Sequence, residues 1–121
     1  PDAPVGVGIV RCGQAPQITA LERHVSREEL LWTTTRDVVM AVDLPVRLGD
    51  ALARPNIETT RVFRIKAGQA VIIARGAWHS PAFAVQGEAE YFFLVEQKAD
   101  LVDQDAQPWI DFAGGETLEI G

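Results

Sequence analysis

The chain has two histidines, and each stands where its imidazole could take part in chemistry. His79 ends the run Gly68-Gln-Ala-Val-Ile-Ile-Ala-Arg-Gly-Ala-Trp-His79, three residues after Gly76. An apolar strand between two glycine turns would bring this imidazole to the end of a sheet, where it could bind a metal ion or transfer a proton. His24 follows Glu22 by two residues, so the second imidazole has a carboxylate beside it.

Side chains alternate between the two faces of a β-strand. If residues 18–25 form a strand, Glu22 and His24 share one face and can point into the same cavity, with Arg23 on the other side. Glu29 follows shortly afterwards and adds a second carboxylate to this region. The sequence therefore predicts one site built from the two imidazoles and the nearby acids.

Strand patterns dominate the rest of the sequence. Apolar and β-branched runs separated by glycine and proline turns predict roughly eight or nine short strands. Only residues 48–56 resemble a turn with a short helical piece. Strands at this spacing predict an all-β architecture that is closed or double-layered. The predicted strands cover residues 5–10, 18–25, 30–32, 37–44, 57–66, 70–74, 91–95, 109–112 and 117–120.

Composition limits the classes of function. The 121 residues, of which 47% are hydrophobic, fit a single domain over residues 1–121 that buries its own core. A formal charge of −6 and the absence of a basic cluster with interleaved aromatics argue against nucleic-acid binding. No apolar run reaches the roughly 18 residues of a membrane span, so we expect no membrane partner. The single cysteine, Cys12, excludes an internal disulfide and favours the reducing cytoplasm.

The spacing around His79 resembles the second sequence motif of the cupins, which are small jelly-roll barrels whose cavity often holds a metal. In that motif one glycine precedes a strand, a second glycine follows it, and a histidine comes three residues later. Gly68, Gly76 and His79 stand at these positions, whereas Gln69 and Ala74 replace the motif's aspartate and proline.

The first cupin motif is matched more loosely. Glu22 and His24 stand where that motif has two histidines, and Glu28 or Glu29 stands at its glutamate position. Together the two resemblances imply a single cupin-type jelly-roll β-barrel.

Within the cupins the sequence resembles the ureidoglycolate lyase family most. Members of this family have Glu-Arg-His and, further on, Gly-Gln, an apolar strand and Arg-Gly-X-Trp-His-X-Pro. This chain has Glu22-Arg-His24, Gly68-Gln69 and Arg75-Gly-Ala-Trp-His-Ser-Pro81, so the resemblance extends from about residue 21 to residue 96. Glu29 stands where the family has glutamine.

The resemblance implies an enzyme of purine catabolism that splits ureidoglycolate into glyoxylate and urea. A base removes the hydroxyl proton of the substrate while the departing nitrogen is protonated. The family implies a divalent metal, and imidazole with carboxylate suits nickel, zinc or manganese alike. On this basis His24 and His79 are the predicted metal ligands, His79 is also a catalytic candidate, Glu22 is a ligand or the base, and Glu29 is a further candidate ligand.

A small anionic metabolite would need local positive charge in this acidic protein. Arg75 is the first candidate to hold the substrate carboxylate, and Lys66 is the second. Trp78 is expected to cover the mouth of the barrel by packing, with substrate contact as the alternative. Because cupins commonly pair through edge strands, the resemblance also implies a homodimer.

Two other functions remain open from the sequence. The chain could be a different metal-dependent cupin enzyme, such as an isomerase or a dioxygenase. It could also be a cupin that binds a small ligand without chemistry, which the loosely matched first motif favours.

Overall fold

Strands make up the regular structure of the protein in the computed structural model, which describes residues 5–96 and 106–120. No helix occurs within those two ranges, as the alternating and β-branched sequence predicts. The strands are β1 (Val5–Cys12), β2 (Gln17–Ile18), β3 (Ala20–His24), β4 (Glu29–Thr33), β5 (Val38–Asp43), β6 (Arg61–Ile65), β7 (Ala70–Ile73), β8 (Trp78–His79), β9 (Phe83–Ala84), β10 (Ala89–Glu96), β11 (Ala106–Asp111) and β12 (Leu118–Glu119).

Two large sheets form the fold. The first has the strand order β1-β10-β4-β7, and the second has the order β11-β3-β8-β5-β6 with β9 also paired to β5. A third, two-stranded sheet joins β12 to β2. Along the described strands no hydrogen-bonded path links the two large sheets, so the predicted all-β architecture is present as a double-layered sandwich rather than as a fully closed barrel.

The main core lies between the two large sheets. Leu31 and Tyr91 from the first sheet pack in one buried cluster with Val38, Met40 and Ile65 from the second. Alternate residues of β5 face this core, because side chains along a strand point in turn to opposite faces. The inner layer of the sandwich is therefore apolar except where a polar side chain interrupts it.

The outer face of the second sheet is also covered. Leu21, Ala41, Trp78 and Phe112 form part of a second buried cluster there. Arg23 is fully buried in the same layer, with its guanidinium carbon 4.4 Å from the centre of the Trp78 ring. A sheet buried on both faces holds its strands in fixed positions, and the positions of the candidate site residues on β3 and β8 depend on that rigidity.

Residues 44–60 cross this outer layer as a series of turns, so the short helical piece expected near 48–56 is absent. The buried Asp43 carboxylate organises the segment by accepting hydrogen bonds from the backbone of Leu44 and Asn56 and from the Thr59 hydroxyl. Pro45 and Pro55 interrupt any helix here, since proline has no N–H and restricts the residue before it.

The outer face of the first sheet is exposed and apolar. Val5, Val7 and Ile9 of β1 are each more than half exposed, as is Ile72 of β7. Strand β1 is also an edge of its sheet, with β10 as its one neighbour among the described strands. The predicted homodimer and the single domain over residues 1–121 stay predictions. None of the described residues belongs to a helix suited to crossing a membrane.

Candidate metal centre

Strand β3 presents two of the predicted site residues to the space between the sheets. Leu21 and Arg23 point into the outer layer and are fully buried, while Glu22 and His24 line the cavity. Strand β8 lies beside β3 with His79 directly opposite Glu22. The structure thus brings together three residues that are up to 57 positions apart in the sequence, from Glu22 to His79.

The donor atoms of these three residues converge. Glu22 Oε1 lies 3.8 Å from His24 Nε2 and 3.7 Å from His79 Nε2. One ligand atom from each of the three residues lies within 4.8 Å of the other two. Among the described residues, this is the one group of three or more such side chains close enough to hold a metal ion.

The donor set fits a divalent metal. Imidazole nitrogens bind zinc at about 2.0–2.1 Å and carboxylate oxygens at about 2.0–2.2 Å, so a nitrogen and an oxygen bound to one ion lie at most about 4.3 Å apart. The separations of 3.7 and 3.8 Å satisfy this limit and exceed the length of a hydrogen bond. Two nitrogens and one oxygen suit nickel, zinc or manganese, which agrees with the predicted class of cofactor.

Burial and a hydrogen bond prepare His79 for such a role. Its Nδ1 lies 3.1 Å from the carbonyl oxygen of Ala77, which can only accept, so Nδ1 carries the proton and donates it. Nε2 then carries the lone pair, and it lies 3.7 Å from Glu22 Oε1. Burial and, to a smaller extent, the neighbouring His24 lower the pKa of His79 to about 4 against the opposing hydrogen bond to Ala77, so the ring is neutral at pH 7. A neutral imidazole fixed through its other nitrogen is the usual state of a metal ligand.

The carboxyl groups at the site hold protons more tightly than usual. Burial raises the pKa of Glu22, and the nearby His24 opposes that shift. Burial likewise raises the pKa of Glu29, whose Oε1 lies 3.9 Å from His24 Nε2. Glu29 belongs to β4 in the first sheet, so it faces the β3 and β8 residues from the opposite wall.

A cavity of about 370 Å³ contains all four of these residues. Its walls are mostly apolar, with Leu31, Met40 and Ile73 among them. The cluster therefore occupies a polar position within an apolar pocket, which is the usual composition of a small-molecule site.

Gly76 sets the path of the chain into β8. Its φ of +81° lies in the left-handed region, and a Cβ atom there would collide with the side chain of Leu48. Its N–H donates a 2.7 Å hydrogen bond to the carbonyl oxygen of His24. The glycine of the predicted motif thus ties the end of β3 to the turn that delivers His79.

Three residues considered for substrate contact lie elsewhere, and Trp78 does not take the expected packing position over the mouth of the barrel. Trp78 precedes His79 on β8, so it points to the opposite face and is buried in the outer layer beneath Arg23. Lys66 is exposed beyond the end of β6, an edge strand of the second sheet. Arg75 is exposed on a turn and lines a separate surface depression with Glu28. None of the three lines the cavity.

Several residues of the cavity wall were not predicted as site residues from the sequence, and three of them bear on binding in this cavity. Arg27, Tyr91 and Trp109 all line it. Arg27 lies in the connection between β3 and β4, and the fact that these two strands carry the candidate ligands could have indicated it. Tyr91 was assigned only to a predicted strand over residues 91–95, and burial raises the pKa of its phenol. Trp109 is on β11, whose pairing with β3 the sequence does not reveal.

The sequence model described as "Ureidoglycolate lyase" matches residues 7–110 of this chain. The chain belongs to the ureidoglycolate lyase family. The predicted resemblance is confirmed, and it extends beyond the residues on which it was based. A search of curated proteins with this chain gives no match.

Solved structures agree with a cupin fold. An oxalate oxidase in complex with glycolate is 16% identical, with a TM-score of 0.55 over 77% of this chain and 42% of its own. The Bacillus subtilis oxalate decarboxylase, described by its Mn(II) centres, is 12% identical, with a TM-score of 0.55 over 77% and 22%. A sugar phosphate isomerase of the cupin superfamily from Silicibacter pomeroyi is 14% identical, with a TM-score of 0.53 over 78% and 51%. The matched region thus spans about half or less of each of these proteins.

Proposed function

We propose that this chain is a metal-assisted lyase that splits ureidoglycolate into glyoxylate and urea. The observation that carries the proposal is the convergence of His24 Nε2, His79 Nε2 and Glu22 Oε1 within the cavity of a ureidoglycolate lyase family member. Under this proposal the two histidines and Glu22 hold the metal. A bound divalent ion would act as a Lewis acid and stabilise the negative charge that develops on the substrate hydroxyl oxygen.

Arg27 is the group proposed to hold the substrate carboxylate. Of the described residues that line the cavity, it alone has a side chain that is always positively charged. Its Nη1 donates a 2.8 Å hydrogen bond to the carbonyl oxygen of Glu96 at the end of β10, which fixes the guanidinium at the cavity wall. A planar guanidinium matches a carboxylate in geometry as well as in charge. Arg27 thus replaces Arg75 and Lys66 as the proposed anchor.

Glu29 is the group proposed to move the proton. The substrate carbon bears both the hydroxyl that loses a proton and the nitrogen that gains one, so a single carboxylate beside that carbon can serve both. It accepts the hydroxyl proton as the C–N bond breaks, and it then delivers the proton to the departing nitrogen of urea. Burial raises the pKa of Glu29, and a general acid–base group works best when its pKa is close to the operating pH.

The apolar walls support this chemistry. Leu31, Met40 and Ile73 limit the number of water molecules near the reacting carbon. Charge interactions are stronger in such surroundings than in bulk water. The buried Ser80 hydroxyl also lines this region, but it donates to the Pro81 carbonyl and accepts from the Ala41 N–H, so it serves the backbone.

The test is product formation by the metal-loaded chain. The metal-free protein is reconstituted separately with nickel, zinc and manganese, and glyoxylate and urea are measured from ureidoglycolate. We expect equal amounts of the two products, with Glu29→Gln losing turnover but keeping metal and Glu22→Gln losing both. Glu28→Gln is the matched control, because this exposed neighbour of Glu29 does not line the cavity.

Other results would contradict the lyase proposal. Oxygen consumption with a cupin substrate, and no urea release, would favour a dioxygenase. Tight binding of small acids without turnover on any metal would favour a non-catalytic binding protein. The role in purine catabolism and the cytoplasmic location stay predictions attached to the lyase reaction.

A further inference from the structure

Trp109 lies at an irregularity of strand β11. In the pairing of β11 with β3, Gln107 is opposite Arg23 and Ile110 is opposite Leu21. Three steps along β11 therefore correspond to two along β3, so β11 carries one extra residue at this point. Such bulges bend a strand and redirect a side chain, and they are frequent next to functional sites.

The backbone of Trp109 is in a disfavoured conformation. Its φ of +50° is in the left-handed region, which bulky residues other than glycine rarely adopt. The other described non-glycine residue with positive φ is Arg47, and its carbonyl accepts a hydrogen bond from the buried Arg23 guanidinium. Arg47 thus has a structural reason for its conformation. A strained residue persists only where its surroundings require it, and such residues cluster at ligand sites.

Packing does not supply that reason for Trp109. Its side chain remains 51% exposed, so it buries much less apolar surface than Trp78, which is 1% exposed. The exposed indole nevertheless lines the cavity that contains His24 and Arg27. The bulge and the strained backbone therefore hold a large aromatic group at the opening of the site, where it is accessible to a ligand.

We propose that Trp109 is a specificity-determining residue whose indole face stacks on the planar ureido group of the substrate. This inference rests on the proposed lyase function. Arg27 and the metal-ligand cluster account for the carboxylate and hydroxyl end of ureidoglycolate. The remaining end is a flat, delocalised amide, and an aromatic face at the opening of the cavity suits a group of that shape.

The test compares two acids that differ at the ureido end. Oxalurate keeps the carboxylate and the planar ureido group, but it has an amide carbonyl in place of the carbinol and cannot undergo the reaction. Glycolate keeps the carboxylate and the hydroxyl but lacks the ureido group. Dissociation constants of both are measured on the zinc-loaded full chain by calorimetry, for the wild type, Trp109→Leu and Trp32→Leu. Trp32 is the control because it stacks on Phe92 and does not line the cavity.

We expect Trp109→Leu to weaken oxalurate binding roughly three- to tenfold, as for loss of an aromatic stacking contact. Glycolate binding should change by less than about twofold, as for an ordinary surface substitution. Trp32→Leu should leave the ratio of the two constants unchanged. Equal weakening of both acids by Trp109→Leu, or no weakening of either, would overturn the proposal, and so would a wild type that binds neither acid.

Thermal unfolding of Trp109→Gly separates a ligand role from a structural one. Glycine adopts positive φ without strain, so we expect a midpoint equal to or above that of the wild type, together with the loss of preference for oxalurate. A lowered midpoint with the preference intact would show that Trp109 serves the fold alone. Ureidoglycolate turnover is assayed in parallel. Selective loss of oxalurate binding in a protein without lyase activity would refute the proposed reaction and leave the role of Trp109 supported.

Discussion

The two faces of strand β3 treat buried polar groups in opposite ways. On the outer face the Arg23 guanidinium donates to the carbonyl oxygens of Val46, Arg47 and Asp50 and to the side-chain oxygen of Gln107, at 2.5–3.3 Å. On the inner face Glu22 and His24 are separated by 3.8 Å, which is too far for a hydrogen bond between them. One strand therefore carries a hydrogen-bonded polar cluster on its outer face and, on its inner face, two side chains whose donor atoms are spaced as metal ligands.

The difference shows that burial of a charged residue does not by itself mark a functional site. Arg23 is the most completely buried charged side chain described, and its partners all belong to the loop and strand that cover it. It holds residues 44–60 against the second sheet. The cluster of Glu22, His24 and His79 has its donor atoms at the spacing of ligands around one ion. A functional site is recognised by donor atoms whose spacing suits a ligand, and not by burial alone.

Replacing a proposed metal ligand on the inner face of the second sheet should have the largest effect. We expect His79→Gln to lower lyase turnover by more than about 1000-fold, because a metal contributes several kcal/mol of transition-state stabilisation. Metal content, measured by elemental mass spectrometry, should fall with it while far-UV circular dichroism stays unchanged. Full metal occupancy in this variant would contradict the role of His79 as a ligand.

Replacing the outer-face arginine should instead cost stability. Arg23→Met leaves three carbonyl oxygens and an amide oxygen without their donor, so the free energy of unfolding should fall by about 3 kcal/mol or more. Urea denaturation measures this loss, and the protein that remains folded should still bind metal stoichiometrically. Unchanged stability would show that water replaces the guanidinium and that the two faces differ less than the distances indicate.

Acid should weaken the metal-free protein through the inner face. The pKa of His79 is about 4 in the folded state against 6.5 for an ordinary histidine, so between these values the unfolded chain binds the extra proton. Stability from this group is complete above pH 6.5 and is lost as the pH falls toward 4, by up to about 3 kcal/mol. The raised pKa values of Glu22 and Glu29 act in the opposite direction. The difference in free energy of unfolding between wild type and His79→Gln, measured across this pH range, isolates the contribution of the histidine. A difference that does not change with pH would refute the lowered pKa of His79.

Metal binding should stabilise the fold through the inner face alone. With metal at about 100 times its dissociation constant, the free energy of unfolding should rise by about 2.7 kcal/mol. Differential scanning calorimetry should therefore show a higher midpoint for wild type and no shift for Glu22→Gln. A similar shift in both proteins would place the metal outside the proposed cluster.

The smallest expected effect distinguishes two arginines near the cavity. Arg27→Ala should raise the KM for ureidoglycolate about tenfold, because a charge-assisted contact to the carboxylate is lost. Arg75→Ala should change KM less than about twofold, since this exposed side chain does not line the cavity. Steady-state kinetics on both variants measures the contrast, and the reverse order would restore Arg75 as the anchor.

The sequence predicts the inner cluster because strand alternation and glycine spacing are local properties. Glu22 and His24 share a face by their separation alone, and Gly76 marks the turn that leads to His79. By the same alternation, Trp78 points to the other face of its strand from His79, so the sequence also predicts that Trp78 lies in the outer layer. Arg27 and Trp109 could not be found in this way, because their positions depend on how a connection and a bulged strand meet in three dimensions.

The order of strands in the first sheet affects how the newly synthesised chain folds. Strand β1 is synthesised before its partner β10, and strands β2 to β9 lie between them in the sequence. Until then the backbone of β1, which carries the alternating apolar residues Val5, Val7 and Ile9, lacks the strand with which it pairs in the fold. Pairing of segments so far apart in sequence is slow, because a long loop must close before any contact forms. Newly made chains therefore pass through an interval in which this strand can pair with another molecule, and high expression at raised temperature should favour aggregation over folding.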